Sequence, residues 1–213
     1  MKTIYCISGL GADEKAFSKL HIEGFQLKVI DWIEPLKNEP LANYATRMLQ
    51  YIDEKNPILM GLSFGGIMCI EIAKQIPIQK IILISSIKTK YELPLWMKLV
   101  AKTRLHKIYS MKSYKITQPI QNLFLGATSA DEKAMANNYR KNANTGYVKW
   151  AVNHILNWQN QQVAAPIFHI HGSADKMFPV KKVKADAIIT NGKHLMVMTK
   201  ANEVSIAIKQ FLD

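Results

Sequence analysis

Ile58-Leu59-Met60-Gly61-Leu62-Ser63-Phe64-Gly65-Gly66 decides how the chain is read. A short apolar run stops at a serine fenced by glycines, and an apolar segment of helix length, 64–75, begins at once after it. This is the pattern of a buried strand turning sharply into a helix. The glycines have a steric reason. So tight a turn forces Ser63 into a strained conformation and brings backbone segments together at its flanks, where side chains would clash. The turn also lifts the serine hydroxyl to the end of the strand and aims the helix N-terminus at it, where developing negative charge is stabilised.

On both sides of this turn, short β-branched runs alternate with helix-length segments. Strands are predicted at 3–8, 26–32, 57–62, 80–85, 166–171 and 185–190, and helices at 14–20, 41–54, 64–75 and 202–212. In the last of these Val204, Ile208, Phe211 and Leu212 share one face, as a helix packed on a sheet requires. The alternation gives an α/β class, with a mostly parallel central sheet and helices on both faces. Stretch 88–160 interrupts it, holding helix-like pieces at 95–106, 130–142 and 148–159 and no strand. It reads as a helical cap insertion over the carboxyl ends of the strands, where open α/β sheets place their ligands. With 213 residues and no repeat or polar linker, one domain is expected.

Hydrophobic residues make up 48% of the chain and charged residues 21%, which speaks against extensive disorder. The only cysteines, Cys6 and Cys69, fall in a strand-like and a helix-like run, so a disulfide framework is not indicated and a cytoplasmic location is expected. The apolar start stops at Ser8-Gly9 with no small-residue cleavage site, and reads as the first strand, not as a signal peptide. No apolar run is long enough for a membrane span, so no integral membrane association is expected. Net charge is +12. Between Lys88 and Trp150 stand twelve basic and three acidic residues, a surplus of nine. An acidic substrate, an anionic membrane surface or nucleic acid can exploit such a patch, but a solvated helical face explains it as well, and no nucleic-acid partner is expected. Oligomeric state is not set by these features.

A serine hydroxyl is a poor nucleophile near neutral pH. It needs a histidine to take its proton and later return it, and that histidine needs a carboxylate to fix its tautomer and stabilise the imidazolium. Downstream, Ile167-Phe168-His169-Ile170-His171-Gly172-Ser173-Ala174-Asp175 reads as a strand that ends in a turn presenting Asp175. Asn191-Gly192-Lys193-His194 then follows another short strand, which completes the chain order Ser, Asp, His.

On these residues the chain resembles the α/β-hydrolase superfamily over essentially its whole length. Members commonly show a G-x-S-x-G elbow, a late H-G-x-x-D and a terminal G-x-H. Here Gly61-Leu62-Ser63-Phe64-Gly65, His171-Gly172-Ser173-Ala174-Asp175 and Gly192-Lys193-His194 stand in that order. The resemblance implies a serine hydrolase acting on a small-molecule carboxylic ester or thioester, with a catalytic triad of Ser63, Asp175 and His194. It further implies an oxyanion hole from the backbone N–H groups of Leu10 and Phe64, and no metal or organic cofactor. Relatives that cleave carbon–halogen bonds or epoxides use a carboxylate nucleophile where this chain has Ser63. The alternative is a slow or non-catalytic ligand-binding protein on the same fold. Two departures stand out. The family's early turn usually begins His-Gly, whereas Ser8-Gly9 here keeps the backbone donor but removes a side chain that often braces the loop. The interval from Asp175 to His194 is short, so the strand and helix usual there must be trimmed to little more than 185–190.

Competing readings of the same residues are weaker. His169 and His171 point the same way on a strand and suggest a metal with Asp175, yet no third ligand cluster is evident, and they read as structural histidines. His21, His106 and His154 read as surface or cap residues. Gly9-Leu10-Gly11 lacks the third glycine of a dinucleotide fingerprint, since Glu14 stands there. Trp96, Trp150 and Trp158 line an acyl pocket or pack the cap, and packing is the commoner role.

Overall fold

In a computed structural model that describes residues 1–108, 114–163 and 165–212, six strands form one parallel sheet. They are β1 (Lys2–Ile7), β2 (Phe25–Ile30), β3 (Ile58–Leu62), β4 (Lys80–Ile84), β5 (Ile167–Gly172) and β6 (Ala187–Ile189), in the order β2-β1-β3-β4-β5-β6. All six fall within three residues of their predicted bounds. In register, Cys6 stands beside Val29 of β2 and Met60 of β3. The chain steps outward from β1 to β2, then returns past β1 to β3. That reversal opens a crevice at the carboxyl ends of β1 and β3, and turn 8–11 and Ser63 both lie there.

Alternate side chains supply two cores, as a sheet covered on both faces requires. On one face Tyr5, Ile7, Leu59, Ile81 and Leu83 pack with Tyr44 and Met48 of α1 (Leu41–Met48) and Ile67 and Ile70 of α2 (Phe64–Ala73). On the other, Ile4, Cys6, Met60, Ile82 and Ile84 pack with Phe17, Met196 and Val204. A fully buried Ile or Leu contributes about 1.5–3 kcal/mol over an exposed one, and both layers hold many. Because the sheet lies under α2 and further helices lie over it, α2 is buried on every side. Cys6 and Cys69 are free, fully buried, and on opposite faces; burial pushes the pKa of each thiol well up.

Between β4 and β5 run α3 (Leu95–Thr103), α4 (Leu105–Ile108), α5 (Tyr114–Leu125), α6 (Ala130–Asn142) and α7 (Thr145–Leu156); α8 (Met196–Thr199) and α9 (Ala201–Leu212) follow β6. The predicted 14–20 helix is a 3-10 turn, Glu14–Phe17, fixed by Asp13 accepting from the Lys15 N–H. Predicted helix 41–54 ends at Met48 and tightens into a 3-10 turn, Leu49–Tyr51. The 95–106 helix splits at Arg104, whose backbone is left-handed with φ 56°. Helix α6 matches its prediction, capped reciprocally by Ser129 and Glu132. Helix α7 begins three residues early because the Asn144 side chain caps the Tyr147 N–H. Residues 109–113 of the predicted cap, with Lys112, lie outside the described residues. No helix among the described residues is long and apolar enough to cross a membrane.

Candidate active site

The end of β3 is shaped by crowding. Ser63 has φ 52° and ψ −116°, a conformation that a non-glycine residue keeps only when its surroundings over-determine it. Its N–H donates to the Ile84 carbonyl at 2.9 Å, and its own carbonyl accepts from the Gly66 N–H at 3.0 Å and the Ser86 hydroxyl at 2.7 Å. A Cβ on Gly61 would lie 2.4 Å from the Gly66 Cα, and one on Gly65 only 2.0 Å from the Ile7 carbonyl oxygen. Both positions require bare backbone.

Asp175 and His194 come in on two loops stitched together. The Ser173 N–H donates to the Ile189 carbonyl at 3.0 Å, the Ala174 N–H to the Gly192 carbonyl at 2.9 Å, and the Asn191 N–H to the Ser173 hydroxyl at 2.8 Å. This stitching lets so short an interval suffice: β6 shrinks to three residues and the next loop returns directly to β5. His194 Nδ1 lies 2.8 Å from Asp175 Oδ2, and its Nε2 lies 2.9 Å from Ser63 Oγ. Asp175 Oδ1 accepts from the N–H groups of Met177 and Phe178 at 2.8 and 3.0 Å. Asp175 and His194 are buried, and Ser63 is half-buried. Burial alone would raise the Asp175 pKa. The His194 charge and hydrogen bond, with help from His171 and the Phe178 N–H, override it and hold the carboxyl below its ordinary range.

Turn 8–11 presses on the same spot, since a Cβ on Gly9 would lie 3.5 Å from Ser63 Cβ. The Leu10 and Phe64 N–H groups have no hydrogen-bond partner among the described residues, Phe64 because it opens α2. Here one sequence reading is corrected, because Ser8 does brace the loop. Its hydroxyl donates to the Ala12 carbonyl at 2.6 Å and accepts from the Trp32 indole N–H at 3.1 Å. The helical segment touches both site loops. Gly11 backs on to Ala143, and Lys193, beside His194, packs on Gly126 and donates to the Thr128 hydroxyl at 3.0 Å. Trp158 and Trp150 pack as expected, donating to Glu71 Oε1 and to the Glu39 carbonyl, each at 2.8 Å.

Solved structures resemble the chain over nearly its whole length. A hydrolase from Oleispira antarctica superposes with a TM-score of 0.74 at 13% identity, covering 99% of this chain and 90% of that one. An esterase from Thermogutta terrifontis gives 0.72 at 14%, covering 100% and 89%, and a bromoperoxidase from Bacillus anthracis 0.71 at 16%, covering 99% and 91%. The chain has the fold of the α/β-hydrolase superfamily. No protein-family model and no curated protein matches its sequence.

Within this α/β-hydrolase fold, the strand that leads to Asp175 carries a buried histidine pair. His171 Nε2 donates to the Phe178 carbonyl at 2.7 Å and lies 3.5 Å from Asp175 Oδ2. Since the carbonyl can only accept, a neutral His171 carries its proton on Nε2, and its Nδ1 accepts from His169 Nε2–H at 3.1 Å. Burial lowers the pKa of both rings, so both are neutral near pH 7. Burial, then the neighbouring His171 ring, push His169 down to about 3, and burial lowers His171 despite Asp175. Histidines in the unfolded chain protonate near pH 6.5, so acid favours unfolding from there down to the lowered folded values. Stability by urea denaturation is expected to fall on going from pH 7 to pH 5, by up to about 1.4 kcal/mol per pH unit for each histidine. His169→Gln should flatten that slope, and an unchanged slope would refute the assignment. Asp175, with its lowered pKa, adds stability above about pH 4 that is lost only as pH falls further, below this window.

Ser8, Ser86 and Phe178 escaped the sequence reading. Ser86 and Phe178 carry no local pattern, since their places depend on which strands are neighbours. Ser8 was visible as a serine closing the first strand, but its partner Trp32 is supplied by the segment after β2. The wide groove of about 700 Å³ lined by Leu41, Glu71, Lys74, His154 and Trp158 includes none of Ser63, Asp175 and His194.

Proposed function

We propose that the protein is a serine hydrolase that cleaves a carboxylic ester or thioester through an acyl-enzyme. The observation that carries this reading is the unbroken hydrogen-bonded line from Asp175 through His194 to the strained Ser63. His194 Nε2 takes the Ser63 proton as the oxygen attacks the carbonyl carbon, and returns it to the departing alcohol or thiol. Asp175, fixed by two backbone N–H groups, keeps the Nδ1–H tautomer and offsets the charge that forms. The N–H groups of Phe64 and Leu10, both without partners among the described residues, receive the oxyanion. Water then repeats the sequence on the acyl-enzyme. Solved structures of the same fold include esterases from Thermogutta terrifontis and Exiguobacterium antarcticum, which accords with this chemistry.

A fluorophosphonate probe tests the reading. One equivalent is expected to label Ser63 and none to label Ser63→Ala, and a panel of esters and thioesters of graded chain length should show turnover absent from that variant. An unlabelled protein that still binds an ester, equally well as Ser63→Ala, would assign the ligand-binding role in its place.

A further inference from the structure

The cap carries a surface that a purely solvated face does not explain. Helix α3 packs Met97, Val100 and Ala101 inward, yet Leu95 and Leu99 on its outer side are 72% and 61% exposed, and Leu105 of α4 is exposed after them. Helix α5 adds Ile116, Ile120 and Leu123 at helical spacing, with Ile116 80% exposed. Trp96 and Phe124, ring centroids 4.8 Å apart, join α3 to α5. Between the aliphatic chains stand exposed Lys98, Lys102, Arg104 and Lys107. Between Glu92 and Asp131 the sequence holds six lysines and arginines and no carboxylate.

We infer that this face docks on an anionic lipid surface. Leucine, isoleucine and tryptophan interleaved with lysine and arginine form the composition of an interfacial helix, whose apolar side chains enter the acyl boundary while the cations meet lipid phosphates. A second copy of the chain fits poorly, because a two-fold interface sets the patch against itself with like charges and no carboxylate to answer them. A nucleic acid would use the cations but leave the aliphatic chains in water. This inference does not depend on the hydrolase reading, because binding and turnover are measured separately.

Vesicles of phosphatidylcholine alone, and of phosphatidylcholine and phosphatidylglycerol in equal parts, provide the test by co-sedimentation. Binding is expected to the anionic vesicles only, to weaken with added salt, and to shift Trp96 fluorescence to the blue. Lys98→Gln with Lys102→Gln should weaken it roughly fivefold per charge, and Leu95→Ser with Leu99→Ser about tenfold or more. These side chains are exposed, so an unchanged thermal midpoint establishes that the variants fold. No binding to anionic vesicles overturns the inference, as does binding that the leucine variant leaves intact. Tighter binding to duplex DNA, or a concentration-dependent dimer lost in the leucine variant, overturns it too.

Discussion

Asp175→Asn is expected to lower kcat for an ester substrate by roughly 10⁴-fold while leaving the fold intact. The reason is geometric. Oδ1 is held by the Met177 and Phe178 N–H groups and must remain an acceptor, so the new amide nitrogen has to occupy the Oδ2 position facing His194. There it donates to Nδ1 and forces the ring proton on to Nε2, which then cannot take the Ser63 proton. Ser63→Ala and His194→Ala should each cost about as much or more, roughly 10⁴–10⁶-fold, and the double variant little beyond either alone, because the residues act as a unit. Steady-state kinetics on one reactive ester measures all four variants. Asp175→Asn within tenfold of the parent, or additive losses in the double variant, would remove the basis for the mechanism.

Gly65→Ala is expected to have the largest effect on stability. Its Cβ would lie 2.0 Å from the Ile7 carbonyl oxygen and 2.5 Å from that of Ser8, both backbone atoms of the central strand and the turn beyond it, with no rotamer to swing away. A cost above about 4 kcal/mol follows, a large share of the roughly 5–15 kcal/mol that holds such a domain together. The thermal midpoint should drop by roughly 10 °C or more. Gly24→Ala is the control: φ is +82° there, but nothing lies within 4 Å of a new Cβ, so its cost is backbone strain of about 1–2 kcal/mol. Equal midpoints for the two variants would show that crowding at the elbow does not matter.

The contrast between these glycines shows what was legible in the sequence. Gly61, Ser63 and Gly65 announce themselves because local sterics dictate them, and the strands do so because a sheet buried on both faces demands apolar runs. Asp175 and His194 were found through chain order and spacing, although the bonds that stitch their loops join residues about eighteen apart. Two kinds of feature stayed hidden. Helix α5 was missed since Pro119 inside it interrupts the usual signal, and the break at Arg104 depends on a left-handed residue that no propensity favours. Ser8 looked like a loss because its partners, Trp32 and Ala12, meet only once the sheet is assembled. The histidine pair reads as structural from sequence, but the Phe178 carbonyl that holds the His171 Nε2 proton is placed only by coordinates.

The two cysteines turn the fold into its own clock. One thiol sits in each layer, sealed from solvent and kept in its unreactive protonated form. A maleimide can therefore reach Cys69 only when the layer that holds α2 opens, and Cys6 only when the opposite layer does. The two alkylation rates time the separate openings of the halves that clasp the sheet, with no engineered label.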